Sequence, residues 1–112
     1  MDKVYVVFGT CGEYSDRMIW TVVAYADEDT AKRHVEEASS YMRRIRAMYN
    51  DHIRELPYNE EVAFRDALKR QNKLDPFGDY SVGGLDDVSY WIDCVSIGRD
   101  VPKIDEGDLI PI

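Results

Sequence analysis

Long apolar runs are missing from this sequence, and so are the signals that would direct it to a membrane. No stretch of about 18 consecutive apolar residues occurs, so we expect neither a membrane-spanning helix nor a membrane partner. The opening residues lack the basic segment and the cleavage site of a secretory signal, which predicts a cytoplasmic protein. The 112 residues, with 45% apolar and 32% charged side chains, are typical of one soluble globular domain.

Cysteine and histidine are scarce, which limits the available chemistry. Cys11 and Cys94 form neither a C-x-x-C pattern nor a zinc-ligand pattern, and in a reducing compartment we expect free thiols. A nucleophilic Cys11 would need a cation beside it to favour the thiolate. The only histidines, His34 and His52, both lie in a predicted helix without a catalytic motif. A cysteine-dependent enzyme therefore ranks third among the interpretations, and we assign no catalytic residue.

Metal and phosphate motifs are also absent. The acidic pairs and clusters at residues 86–87 and 105–108 lack the spacing of a calcium-binding loop. The two glycines within residues 9–12 are not followed by the Lys-Ser/Thr ending of a phosphate-binding loop. The sequence therefore predicts no metal site and no cofactor.

The net charge of -8 is distributed unevenly along the chain. Residues 32–74 hold ten basic and seven acidic side chains, whereas residues 75–112 hold nine acidic and two basic ones. An acidic protein repels nucleic-acid phosphates, so nucleic acid is a disfavoured partner. A binding module for nucleic acid or a small ligand, using basic helix faces, is the second interpretation. Those faces would contain Arg43, Arg44, Arg46, Arg65, Lys69, Arg70 and Lys73.

Three strands are predicted from runs of β-branched and aromatic residues. The first runs from Val4 to Phe8 and is stopped by Gly9. It is apolar on both faces, which favours a central position in a sheet. The other two are predicted over residues 18–26 and 88–97.

Two helices are predicted between the second and third strands. Residues 27–30, Asp-Glu-Asp-Thr, form a helix start in which an Asp can cap the free backbone N–H groups, and apolar residues then recur at steps of three or four from Ala31 to Leu56. Such a helix would be longer than a small sheet requires, so it either breaks near residues 50–51 or projects beyond the sheet. Pro57 ends or interrupts it, and a second helix follows over residues 59–73.

The order β-β-α-α-β predicts an α+β fold in a single domain over residues 1–100. We expect a three-stranded, mainly antiparallel sheet in the order 2-1-3, with two helices packed on one face. Residues 101–112 are predicted to form an acidic, extended C-terminal tail.

Two surfaces are candidates for binding. Residues 9–17 connect the first two strands as a polar loop, and loops held by rigid strands often carry binding residues. The second is the other face of the sheet, which has more aromatic residues than two helices on one side can cover. Alternatively, the C-terminal tail folds back over that face. The predicted binding residues are Glu13, Tyr14, Ser15, Asp16 and Arg17 in the loop and Tyr5, Tyr25 and Trp91 in the sheet.

The first third of the chain resembles small, uncharacterised phage and prophage accessory proteins. The shared features are a Val-Tyr-Val-Val strand at residues 4–7, a Gly-x-x-Gly-Glu-Tyr-Ser-Asp loop at 9–16, Trp20 in the second strand, and an acid-started helix with a His-Val-Glu run at 27–37. A weaker similarity follows at residues 90–97. The resemblance implies a virus-encoded protein acting in a bacterial cytoplasm, and it implies no catalytic residue.

We therefore expect a non-enzymatic phage accessory protein that binds a host or phage protein, with a host defence component among the candidates. Binding would use the polar loop, the aromatic sheet face or the acidic surface. An acidic surface can also imitate nucleic-acid phosphates and compete for a partner's basic groove. A homodimer is compatible with each of the three interpretations.

Overall fold

The computed structural model describes residues 2–12, 17–48, 56–77, 88–105 and 107. The strands form one antiparallel sheet in the order β2-β1-β3, with β1 in the middle. The predicted α+β fold, the strand order and the central position of β1 are therefore confirmed. The elements are β1 (Lys3–Cys11), β2 (Met18–Tyr25), α1 (Glu28–Met48), α2 (Tyr58–Gln71) and β3 (Ser89–Ser96).

Helix α1 begins where the sequence predicts, at a cap supplied by Asp27. The hydroxyl and the backbone N–H of Thr30 both donate to Asp27 Oδ2, at 2.8 and 2.9 Å. These hydrogen bonds stabilise the ionised carboxylate and hold the pKa of Asp27 below its usual 3.8. The helix ends at Met48, and its predicted continuation falls on residues 49–55, outside the described residues. Its buried face is the predicted stripe of Ala31, Ala38, Met42 and Ile45.

Strand β1 is longer than the sequence predicts, because Gly9 does not end it. Gly9 pairs with Trp20, and the strand continues to Cys11, which pairs with Met18. A Cβ at Gly9 would lie only 2.6 Å from ring atoms of Trp20, so glycine allows the indole to lie directly against the backbone. The connection between β1 and β2 is therefore residues 12–17, shorter than predicted, and it starts at Gly12 with a positive φ of 90°.

The hydrophobic core lies between one face of the sheet and the helices. Helix α1 supplies most of the helical part of this core, while α2 contributes Leu68, with Phe64 at the margin. Apolar burial of this kind is the main stabilising contribution in a domain of this size. The buried members are Val7, Cys11, Val22, Ala31, Ala38, Met42, Ile45, Leu68, Val88 and Tyr90.

A bulge interrupts the pairing of β1 with β2. Val7 pairs with Val23 whereas Phe8 pairs with Thr21, so Val22 is the extra residue. A bulge places two consecutive side chains on the same side of a strand. Both Val22 and Val23 accordingly contact the core, which adds apolar contact on the helix side of β2.

Candidate binding surface

The two faces of the sheet differ in what covers them. Val7 of β1 is fully buried in the core, so its neighbours Val6 and Phe8 point to the opposite side. Strand registers place the residues opposite them on that same side. We call this surface the open face. It consists of Val4, Val6, Phe8 and Thr10 from β1, Ile19, Thr21 and Ala24 from β2, and Ser89, Trp91, Asp93 and Val95 from β3.

An aromatic pair lies at the centre of the open face. The rings of Phe8 and Trp91 stack with centroids 5.5 Å apart and planes inclined by 22°. Ile19 and Val95, on the two outer strands, are 56% and 42% exposed. In the described part of the chain, the apolar residues of this face lie outside the hydrophobic core. Contiguous exposed apolar surface with aromatic residues is typical of protein contact sites.

The predicted sheet residues do not all lie on this face. Tyr5 and Tyr25 pair with each other across β1 and β2, on the side of the helices, where both contact the core. Trp91 lies on the open face. The three residues therefore do not form one patch, because the face containing Tyr5 and Val7 is the one that the helices cover. A role for each in binding stays a prediction.

The predicted loop residues are described only in part. Glu13, Tyr14, Ser15 and Asp16 lie outside the described residues. Arg17 is exposed, and its Nε donates to the hydroxyl of Thr10 at 3.3 Å.

That contact fixes where the charge of Arg17 lies. The Thr10 hydroxyl itself donates to the Met18 carbonyl at 2.9 Å. Since Thr10 belongs to the open face, its contact with Arg17 places a guanidinium at the hairpin end of that face.

A buried polar cluster on the helix side was not predicted from the sequence. The carboxyl group of Asp75 is fully buried and accepts the Trp20 Nε1–H at 2.9 and 3.0 Å on its two oxygens. The Tyr90 hydroxyl donates to Asp75 Oδ2 at 2.7 Å. We call these three residues, with Asn72, the Asp75 cluster. Because it joins β2, β3 and the segment after α2, it fixes the end of that helix on the sheet.

Asn72 supplies the local structure that aims Asp75 into the core. Asn72 is 2% exposed, and its Oδ1 accepts the backbone N–H groups of Leu74 and Asp75 at 3.1 and 3.2 Å. An asparagine that accepts hydrogen bonds from the next two or three residues forms a tight turn. The sequence signal for this turn is the Asn-x-x-Asp-Pro pattern at residues 72–76, which is also typical of the end of a helix.

His34 connects α1 to the same segment. Its Nε2 lies 2.7 Å from the Leu74 carbonyl, and its Nδ1 lies 2.7 Å from the Tyr25 hydroxyl. A carbonyl only accepts, so Nε2 must carry the proton and donate to Leu74. In the neutral ring, Nδ1 then accepts from the Tyr25 hydroxyl. His34 thus has a structural role that uses both ring nitrogens.

Within the described residues, neither cysteine is an accessible nucleophile next to a histidine. Cys11 is fully buried, while Cys94 is exposed. His34 uses both ring nitrogens elsewhere, and His52 lies outside the described residues. A reaction at Cys11 would therefore require the core to open.

The basic residues of the helices are partly engaged within the protein. Arg65 forms an ion pair with Glu61 at 3.3 Å. Arg44 lies over the ring of Tyr41, 5.9 Å from its centroid. Arg43 and Arg70 are exposed, on different helices. The basic residues of the helices are therefore a weaker candidate for a binding site than the open face.

These features define a small α+β protein with an apolar sheet face that its helices leave open. No family model, no curated protein and no solved structure matches the chain. Among the described residues, no helix is both long enough and apolar enough to cross a membrane. The same residues contain no group of three or more His, Cys, Asp or Glu that could hold a metal ion.

Proposed function

We propose that this protein acts without catalysis, by binding another protein through its open face. The observation that carries the proposal is the Phe8 and Trp91 stack on a face turned away from both helices, with exposed Ile19 and Val95 on the outer strands of the same face. Aromatic residues at the centre of an apolar patch provide much of the binding energy in protein interfaces. The resemblance of the first third of the chain to phage accessory proteins makes a host or phage protein the expected partner.

The charges around the open face indicate what kind of protein would fit. Asp93 is the one charge that the strands present on this face, and Arg17 lies at its hairpin end. The protein as a whole carries -8, which favours encounter with a basic partner. We therefore propose a partner with an apolar centre and a basic rim. A groove that binds single-stranded nucleic acid combines basic side chains with aromatic ones, so we propose a protein with such a groove as the partner, and binding would block the groove.

A lysine at Ile19 provides a sharp test, because this side chain is exposed in the free protein. Burying an isoleucine stabilises a complex by about 1.5–3 kcal/mol, and a buried lysine adds a desolvation cost. The Ile19→Lys variant should therefore bind at least about tenfold more weakly. The matched control is Tyr58→Lys, which adds the same charge at a residue that is 79% exposed on α2.

The measurement is a pull-down from bacterial lysate with the wild type and both variants, after circular dichroism has shown that all three fold alike. We expect the same partner with the wild type and with Tyr58→Lys, and its loss with Ile19→Lys. Equal recovery by the two lysine variants would show that the open face is not the binding surface. No partner above background with any of them would count against protein binding altogether.

A nucleic-acid or small-ligand binding module remains the second candidate. Its support is the exposed pair Arg43 and Arg44 on α1, where adjacent guanidinium groups could contact phosphates. Retention on single-stranded or duplex DNA that weakens steeply with salt, and that is lost in an Arg43→Ala, Arg44→Ala variant, would favour this candidate over protein binding.

A further inference from the structure

The outer edge of β3 has the properties of a strand that accepts another strand. β3 pairs with β1 without any register shift, and within the described residues nothing pairs with its other edge. Residues 93–97 are all exposed, including Val95 at 42% and Ile97 at 49%. A regular, exposed edge of this kind is a template for strand addition.

One hydrogen bond identifies which backbone groups this edge offers. The Ile97 N–H donates to the Asp2 carbonyl at 2.6 Å, so the backbone of Ile97 faces β1. In an antiparallel pair, alternate residues face the partner strand. The even-numbered residues of β3 therefore direct their N–H and C=O groups outward, and Cys94 and Ser96 are the exposed ones among them.

We propose that this edge pairs with the same edge of a second copy, antiparallel, about a two-fold axis at Ser96. The two Ser96 residues would exchange backbone hydrogen bonds, and Val95 would lie opposite Ile97 of the second copy. Asp93 would lie opposite Arg99 of the second copy, twice by symmetry. The exposed apolar residues of the edge then meet each other, and its acid meets its base.

Charge disfavours a register centred on Asp93, near the middle of β3. It would place the two Asp93 carboxylates directly opposite each other, which is destabilising. Moving the axis to Ser96 replaces this repulsion with two ion pairs. In this register the edge is complementary to itself in both charge and apolar residues. We therefore propose a second copy as the partner, and not an unrelated strand.

The segment after β3 is free to take part in this pairing. A Cβ on Gly98 would have no atom within 4 Å, so the space beside the chain is open. Arg99 contacts Asp2 at 3.5 Å, but both side chains are largely exposed, at 87% and 72%. An exposed ion pair is weak, so Arg99 can turn to Asp93 of the second copy at little cost.

A charge exchange tests the register. Asp93→Lys or Arg99→Asp alone places like charges opposite each other, and each should weaken dimerisation about tenfold. The double variant restores opposite charges and should recover most of the affinity. Glu36→Lys, at an exposed residue of α1, is the control for the change in net charge and should leave the dimer unchanged. The readout is sedimentation velocity over a range of concentrations.

Cross-linking tests the axis independently of charge. In a Cys94→Ser background, Ser96→Cys places two thiols opposite each other with Cα atoms about 5.5 Å apart, within disulfide range. In the wild-type protein the two Cys94 residues would be four positions out of register, roughly 14 Å apart along the strands. Mild oxidation should therefore give a disulfide dimer for the Ser96→Cys variant and leave Cys94 reduced.

Three outcomes would contradict the proposed dimer or its axis. A wild-type protein that stays monomeric at several hundred micromolar would overturn the proposal. Faster cross-linking through Cys94 than through the Ser96→Cys variant would overturn the Ser96 axis, and so would a double charge exchange that restores nothing. Partner binding through the open face is measured separately with Ile19→Lys, so the two proposals can fail independently.

Discussion

Asp75 should be the most sensitive polar position in this protein. The Asp75→Ala variant removes the acceptor for the Trp20 indole N–H and the Tyr90 hydroxyl, at a site that is fully buried. Each donor that loses its acceptor at a buried site costs about 1–3 kcal/mol. Two such donors cost about 2–6 kcal/mol, and we expect roughly 4 kcal/mol of lost unfolding free energy. That is a large part of the roughly 5–15 kcal/mol by which a domain is normally stable.

The Asp75→Asn variant shows how much of the lost stability comes from the hydrogen bonds, because it keeps a polar side chain of the same size at the buried site. Its amide can accept from Trp20 through the oxygen at the Oδ1 position and donate to the Tyr90 oxygen, which accepts as readily as it donates. All three groups then keep a partner, so we expect a cost of only about 1 kcal/mol. The control is Asp66→Ala, an exposed aspartate on α2, which should change stability by less than about 0.5 kcal/mol.

Urea unfolding followed by circular dichroism measures these differences. With a slope of about 1.5 kcal/mol per molar urea, the Asp75→Ala variant should shift the midpoint by about 2–3 M. The reasoning would be refuted if Asp75→Ala and Asp75→Asn were equally destabilising, or if Asp75→Ala cost no more than Asp66→Ala. Either result would mean that the Asp75 cluster does not hold α2 on the sheet.

Two further substitutions test the contact between Gly9 and Trp20 and the cap of α1. Gly9→Ala should lower stability by about 1–3 kcal/mol in the same assay, because its Cβ would displace the Trp20 ring 2.6 Å away, whereas Gly98→Ala, with nothing within 4 Å, should be close to neutral. Asp27→Asn keeps a cap but cannot ionise; because folding lowers the pKa of Asp27, the wild type should have the higher thermal midpoint at pH 7, and the difference should disappear as the pH falls below about 4. A pH-independent difference would show that the carboxylate charge contributes nothing at this cap.

The sequence was sufficient for the architecture because local signals and the fold agree. A run from Val4 to Phe8 that is apolar on both sides belongs in the middle of a sheet, and β1 is there. The start of α1 follows from Asp27, whose carboxylate caps it. These signals depend on neighbouring residues alone, which is why a sequence reveals them.

The features that were missed depend on contacts between distant residues. Gly9 looked like a stop because glycine weakens a strand, but Trp20 compensates by lying on it. Asp75 comes 55 residues after Trp20, and only the folded chain brings them together. Which face of the sheet the helices cover could not be predicted, for a different reason. When both faces of β1 are apolar, alternation does not say which one the helices cover, so Tyr5 was placed on the wrong side.

The bulge at Val22 limits how far this sheet can grow. A strand that adds to β2 would meet a break in the alternation of its side chains, since Val22 and Val23 point to the same side. Such an edge resists pairing, while the regular edge of β3 accepts it. Association would therefore stop at two copies, with a bulged strand at each end of the combined sheet. A protein with two regular edges could instead extend into fibres, so one inserted valine gives assembly a defined end.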